Sequence, residues 1–303
     1  MKAPGKRTRR AILFLVLAGV AGVAVLYMTR LSWGPGMIIT APSSAYAAVS
    51  LPSGVERAIE IERDAAIVRG WLVEPASPPR GTLVMLHGIR SSKASLLPAA
   101  RGHATQGFRV LVVDSRGHGE SSGPFLTYGV KEAQDLLALT SALEAEGLLS
   151  PPLIVLGTSY GAATAIQYAA LDERVDFTIA VAPFASLQDV VPAYIEWILG
   201  PFAGLVPAHI VVEILDECQR LADFDPTDAS PLNAAARIRR PVRILHSQDD
   251  ERIPIAHARD IAAALEDGEL VEIAGASHTE TGGGPEVEAT IDGWLEEAVS
   301  AAR

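Results

Sequence analysis

A serine hydroxyl flanked by glycines, in Gly157-Thr158-Ser159-Tyr160-Gly161, directly follows the apolar run Leu153–Leu156 and opens a helix-forming stretch. A hydroxyl is a weak nucleophile unless a sharp turn holds it beside a base. The two glycines permit such a turn, because strand and helix backbones approach too closely there for a Cβ. The expected base is His278, in Gly275-Ala276-Ser277-His278 after the run Leu270–Ile273. An imidazole titrating near neutrality takes the serine proton and returns it to a leaving group. The expected acid is Asp250, in the loop after Val242–Leu245, where it would accept the other imidazole N–H and fix the tautomer. Asp249 is a rival for that position, and a loop carboxylate here also suits capping of the helix beginning near Ala256. Backbone N–H groups of Ile89, after His87-Gly88, and of Tyr160, after the serine, are the expected oxyanion donors. The chemistry these residues fit is acyl transfer through a covalent intermediate.

Other reactive side chains read differently. His103, His118, His209 and His257 are expected to be structural, and no histidines pair at metal-ligand spacing, so neither a metal nor a cofactor is implied. Cys218 is the single cysteine, which rules out an intrachain disulfide, and it lacks the electropositive setting of a reactive thiol. Charge is unevenly divided. Lys2, Lys6, Arg7, Arg9, Arg10 and Arg30 are the only charges in residues 1–30, and the whole chain has a net charge of −11. The remainder therefore carries about −17, an acidic surface that repels phosphate backbones and excludes nucleic acid as a partner.

The elements that must position these residues alternate. Ala58–Ile61 and Ile67–Val73, with Arg63-Asp64 between them, read as an opening hairpin. Thr82–Leu86, Arg109–Val113, Leu153–Leu156, Phe177–Val181, Val242–Leu245 and Leu270–Ile273 then read as buried parallel strands, mostly β-branched and apolar on both faces. Helical patterns cover Gly129–Glu146, Tyr160–Leu171, Ala256–Leu265 and Val287–Ala301. This alternation predicts an α/β fold: a mostly parallel sheet with helices on both faces and the chemistry at the carboxyl ends of the strands.

These residues resemble the α/β-hydrolase superfamily over about residues 55–300. Within it they look like the single-pass membrane-anchored serine hydrolases, esterase-like or acylglycerol-lipase-like and related to prolyl oligopeptidase. The resemblance rests on Asp64 through Pro75 with Gly70-Trp71, on His87-Gly88, and on Asp114-Ser115-Arg116-Gly117-His118-Gly119-Glu120-Ser121. It extends to Ser230-Pro231 leading to Pro241 and His246. It implies the order nucleophile, acid, histidine and the turn at Asp114 as a structural element beside the site. One departure is visible: His246-Ser247 stands where the family carries His-Gly, so the acid loop is expected to follow a different path, which keeps Asp249 in contention.

Ala11–Met28 is an uncharged apolar run reaching about 27 Å as a helix, near the thickness of a hydrocarbon core. It is longer than a signal peptide's apolar stretch, and Ala45-Tyr46-Ala47 lies too far beyond it for cleavage. The expectation is a basic flank at 1–10, a transmembrane signal anchor at 11–28, a linker at 29–54 and a hydrolase domain at 55–303. The N-terminus would be cytoplasmic and the domain on the outer side of the membrane, or secreted if the segment is cleaved. Ser186–Ala236 is longer than a simple connection, and Val190, Tyr194, Trp197 and Ile198 recur at helical spacing, so a helical cap is expected at about 186–236. Its apolar residues fit packing on the core, an acyl pocket or a membrane-facing entrance. The function expected is hydrolysis of a carboxylic ester or thioester of a small acyl substrate. The alternatives are an amidase or peptidase with the same triad, or a non-catalytic membrane-tethered binding protein. The sequence is silent on oligomeric state.

Overall fold

The computed structural model describes residues 34–41 and 51–302. The apolar run at 11–28 and its basic flank lie outside them. Among the described residues no helix is long and apolar enough to cross a membrane.

Eight strands form one sheet: β1 (Arg57–Arg63), β2 (Ala66–Val73), β3 (Thr82–Leu86), β4 (Arg109–Asp114), β5 (Leu153–Thr158), β6 (Val175–Val181), β7 (Val242–Ser247) and β8 (Gly268–Ile273). Their spatial order is β1-β2-β4-β3-β5-β6-β7-β8. β2 pairs antiparallel with both β1 and β4, and every later pairing is parallel. The opening hairpin closes tightly because Asp64 and Ala65 both take positive φ, the backbone that lets a two-residue turn follow the strand twist. All five residues of β3 are buried, as the unbroken apolar runs predict for strands covered on both sides.

Alternation along β4 shows the two layers. Val110 and Val112 face a core shared with Leu97, Ala100 and Ala104 of α1 (Lys93–Thr105) and Trp294, Leu295 and Val299 of α8 (Pro285–Ala301). Leu111 and Val113 face the opposite core, with Leu136, Leu139 and Leu143 of α2 (Val130–Ala145) and Ala165 and Tyr168 of α3 (Tyr160–Ala169). On that same side, toward the far edge, α7 (Ala256–Ala264) covers β7 through Ala258 and Ile261.

Between β6 and β7 lie α4 (Leu187–Leu199), a 3-10 turn (Gly200–Leu205), α5 (Ala208–Ala222) and the short α6 (Pro231–Ala235). Leu187 and Val190 of α4 pack with Leu215, Cys218 and Ala222 of α5 and with Ile253 beside the acid loop. Core packing therefore accounts for the inner residues of this segment. Trp197, Ile198 and Leu199, on the next turns of α4, stay exposed.

Two details differ from expectation. Residues 34–39, inside the segment expected to be a linker, are helical; Ile39 is fully buried in the α4–α5 cluster, and Thr40 bridges to Phe125. The apolar Ile38-Ile39 pair docks this piece of chain. The second is α1, which the apolar pattern did not mark: Lys93 takes the first buried position of its inner face and Pro98 lies within it.

Candidate active site

The turn carrying Ser159 is built by close approach. An ideal Cβ at Gly157 would lie 2.6 Å from Ala162 N, and one at Gly161 would lie 2.7 Å from His87 O at the end of β3. Only hydrogen fits at either position, so β5 can turn directly into α3. Ser159 is left at φ 54°, ψ −115°, a conformation rarely adopted by non-glycine residues and held here by the elements on either side. Its own N–H donates to Val181 O at 2.7 Å, which ties the turn to β6. Replacing Gly161 by alanine is expected to cost about 3 kcal/mol and lower the melting midpoint by about 6–12 °C. A thermal melt checks this, and an unchanged midpoint would remove the close-approach argument.

His278, Ser159 and Asp250 come together from three strand ends. His278 Nε2 is 2.9 Å from Ser159 Oγ, and His278 Nδ1 is 2.6 Å from Asp250 Oδ2. All three residues are buried. The second oxygen of Asp250 accepts the N–H groups of Arg252 and Ile253, at 2.9 and 2.8 Å. Burial by itself would raise the Asp250 carboxyl, but hydrogen bonds from His246, His278 and the Ile253 N–H outweigh it and hold the group well below the usual carboxylate range. Asp249 is turned elsewhere: its Oδ2 accepts the Gly275 N–H at 2.6 Å.

The turns that carry the two amides expected to face an oxyanion adjoin Ser159. Tyr160 N–H heads α3, where first-turn amides have no intrahelical acceptor. Ile89 follows Gly88, and an ideal Cβ at Gly88 would sit 3.7 Å from Ser159 Cβ, so the turn after β3 runs against the serine. The Tyr160 side chain serves packing: its hydroxyl donates to Glu132 Oε1 at 2.8 Å and its ring meets Tyr128 edge-on. Glu132 also accepts the N–H groups of Thr127 and Gly129, fixing the start of α2 beneath the site.

The Asp114 turn is structural, as the resemblance implied. Asp114 accepts the backbone N–H groups of Lys93 and Glu120, at 2.6 and 2.7 Å, and is ion-paired with the buried Lys93 ammonium. The histidines read as structural behave so wherever they are buried. His118 Nε2 accepts the Arg90 N–H and His257 Nδ1 the Ala185 N–H. Burial lowers both, keeping them neutral acceptors. Cys218 is buried in the α4–α5 cluster, and burial pushes its thiol up to about 12.

Three residues around the triad make contacts that the sequence reading did not assign. Glu251 Oε2 accepts the His278 N–H at 3.0 Å. The Ser247 hydroxyl donates to Ala276 O at 2.6 Å. His246 Nε2 donates to Ile253 O at 2.8 Å and lies 3.3 Å from Asp250 Oδ2. With Asp249 on Gly275, the acid loop is thus stitched to the histidine loop at residues 275, 276 and 278. The departure at Ser247 was the available signal: a hydroxyl in place of a glycine hydrogen has work to do in a buried setting.

Comparison with known proteins follows the same lines. Residues 77–223 match the family described as serine aminopeptidase, S33. The chain is 29% identical over 192 residues to the uncharacterized protein YqkD of Bacillus subtilis, covering 62% of this chain and 61% of that one. Over 134 residues it is 33% identical to the thiohydrolase aneE of Aspergillus aculeatus, covering 42% of each. The chain thus spans less than two thirds of the length of these curated relatives. An esterase of Pyrococcus furiosus superposes with a TM-score of 0.67 at 20% identity, over 86% of this chain and 99% of that one. At that identity the likeness is one of fold.

Proposed function

We propose that the chain, which has the α/β-hydrolase fold and matches the serine aminopeptidase family model over residues 77–223, is a serine hydrolase of carboxylic esters or thioesters. The observation that carries this reading is the continuous relay from Asp250 through His278 to Ser159, with both links at hydrogen-bond distance. Ser159 Oγ attacks the acyl carbon while its proton passes to His278 Nε2. The oxyanion that forms is held by the N–H groups of Ile89 and Tyr160, and Asp250 stabilises the imidazolium across Nδ1. The proton then leaves with the alcohol or thiol, and water repeats the sequence to free the acid. No cofactor is needed.

An amidase would use the same relay, and the serine aminopeptidase family matched by residues 77–223 supports that second reading. The ester reading is favoured by what flanks the acid loop. The Arg252 guanidinium lies 4.6 Å from the ring centre of Trp197, which in turn meets Tyr194, so the cap presents aromatic surface here. Such a surface suits an acyl chain better than a free amine. The test compares p-nitrophenyl esters of rising chain length with the matching p-nitroanilides. Ester turnover is expected to exceed anilide turnover by at least about a hundredfold at every chain length. Faster anilide hydrolysis would move the assignment to the amidase.

The same proposal places the domain on the outer side of a membrane, tethered by the run at 11–28 with the N-terminus cytoplasmic; its support is the apolar run and the basic residues before it. Flotation of the full chain with lipid vesicles tests the anchoring.

A further inference from the structure

The described surface has one apolar stretch that packing leaves uncovered. Along the end of α4 and the 3-10 turn, Trp197 is 43% exposed, Ile198 56%, Phe202 64% and Leu205 71%. No charged side chain interrupts the chain from Trp197 to Ala208. Soluble surfaces rarely leave so many large apolar groups contiguous without a partner.

Chain length says which partner. Residues 34–41 are docked beside α5: Gly34 lies against Ile214, Pro35 O faces the Cys218 thiol at 4.0 Å, and the Tyr128 hydroxyl donates to Ile38 O at 2.8 Å. Met37 in this piece is itself 69% exposed. Only residues 29–33 separate it from the apolar run ending at Met28, a reach of at most about 20 Å when fully extended. A chain anchored through 11–28 therefore holds the cap, rather than the opposite end of the sheet, against the bilayer.

We propose that the cap tip, Trp197 to Leu205, docks in the lipid interface of the membrane that anchors the chain, so that the active site is loaded from the lipid phase. The inference rests on the anchored reading above. Composition supports a zwitterionic surface reached by apolar contact. The acidic balance of the domain gives no attraction to anionic headgroups, whereas an aromatic and aliphatic tip gains by entering the headgroup boundary, where tryptophan is favoured. The tip also adjoins the chemistry, since Trp197 stacks under Arg252, two residues from Asp250.

The test uses the full chain reconstituted in phosphatidylcholine vesicles, with a polarity-sensitive maleimide probe at Phe202→Cys, Leu205→Cys or, as control, Glu266→Cys at the amino end of β8. Cys218 is buried and leaves labelling to the introduced thiol. Brominated acyl chains are expected to quench the probe at positions 202 and 205 and not at 266. In unlabelled protein, Phe202→Ser with Leu205→Ser is expected to lower hydrolysis of a long-chain ester dissolved in the vesicles by about tenfold, with p-nitrophenyl acetate turnover unchanged within about twofold. A chain that floats with vesicles but shows no quenching at 202 and 205 overturns the docking and leaves the anchor standing. A probe shielded from water yet not quenched shows a second copy or another segment on the patch, and also overturns it. Equal losses on both substrates overturn loading from lipid. A chain that does not float overturns anchor and docking together, while ester turnover still reports on the triad.

Discussion

Replacing Ser159 by alanine is expected to lower kcat on a p-nitrophenyl ester by about four to six orders of magnitude and to abolish labelling by a fluorophosphonate. The size follows from what is lost. Ser159 Oγ is the atom that His278 Nε2 faces at 2.9 Å, and among the described residues no other hydroxyl or thiol is bonded to that nitrogen. What remains is binding in the site and the two amides proposed to hold the oxyanion, which belong to the backbone and survive the change. KM should therefore move far less than kcat. The fold should survive as well, because the turn is held by Gly157 and Gly161 and by the Ser159 N–H on Val181 O, none of which needs the hydroxyl. Cys218 supplies the internal control. It is packed between α4 and α5 with its thiol pushed up to about 12, so Cys218→Ala should leave labelling intact. Labelling that persists in the Ser159 variant and disappears in the Cys218 variant would reverse the assignment.

The strands and the order of the triad were legible because each chemical residue follows an apolar run closely. Six such runs became β3 to β8, and the polar residues just after β5, β7 and β8 had to meet at one end of a parallel sheet. Elements whose inner face is not simply apolar were harder to read. α1 turns Lys93 inward, where Asp114 and Glu120 pair with its ammonium and the Trp71 ring lies 4.4 Å away, so its stripe opens on a charge that only the tertiary structure explains. Residues 34–41 have linker-like composition, and only Ile38-Ile39 hints that they dock. The choice between Asp249 and Asp250 was beyond sequence because adjacent residues in a loop differ only in direction. That direction is set by contacts with a segment far along the chain: the Ser247 hydroxyl on Ala276 O, and the Gly275 N–H on Asp249.

That choice gives the second large effect. Asp250→Asn is expected to lower kcat by about ten-thousand-fold, while Asp249→Asn lowers it by less than about threefold. The carboxylate of Asp250 accepts the Nδ1–H of His278 at 2.6 Å and so leaves the Nε2 lone pair pointing at the serine. An asparagine amide presents N–H there with little loss of shape, which favours the other tautomer and turns the base away from its task. Asp250 also takes the Ile253 N–H and lies beside His246, so the neutral variant gives up the charge these donors surround. The pH dependence has a definite sign. Burial opposes ionisation, but the hydrogen bonds hold the Asp250 carboxyl well below its ordinary value. Its contribution to stability is complete above the unfolded carboxylate value of about 3.9 and is lost only as pH falls through the depressed folded value. Asp250→Asn should therefore remove stability at neutral pH and converge on the parent as the medium becomes strongly acidic. Asp249 has a smaller task, accepting the Gly275 N–H at 2.6 Å, and an asparagine carbonyl oxygen can accept the same bond. Steady-state kinetics on the two single variants decide the matter: a ten-thousand-fold loss in Asp249→Asn with near-normal turnover in Asp250→Asn would mean that the acid loop follows a different path in the working enzyme.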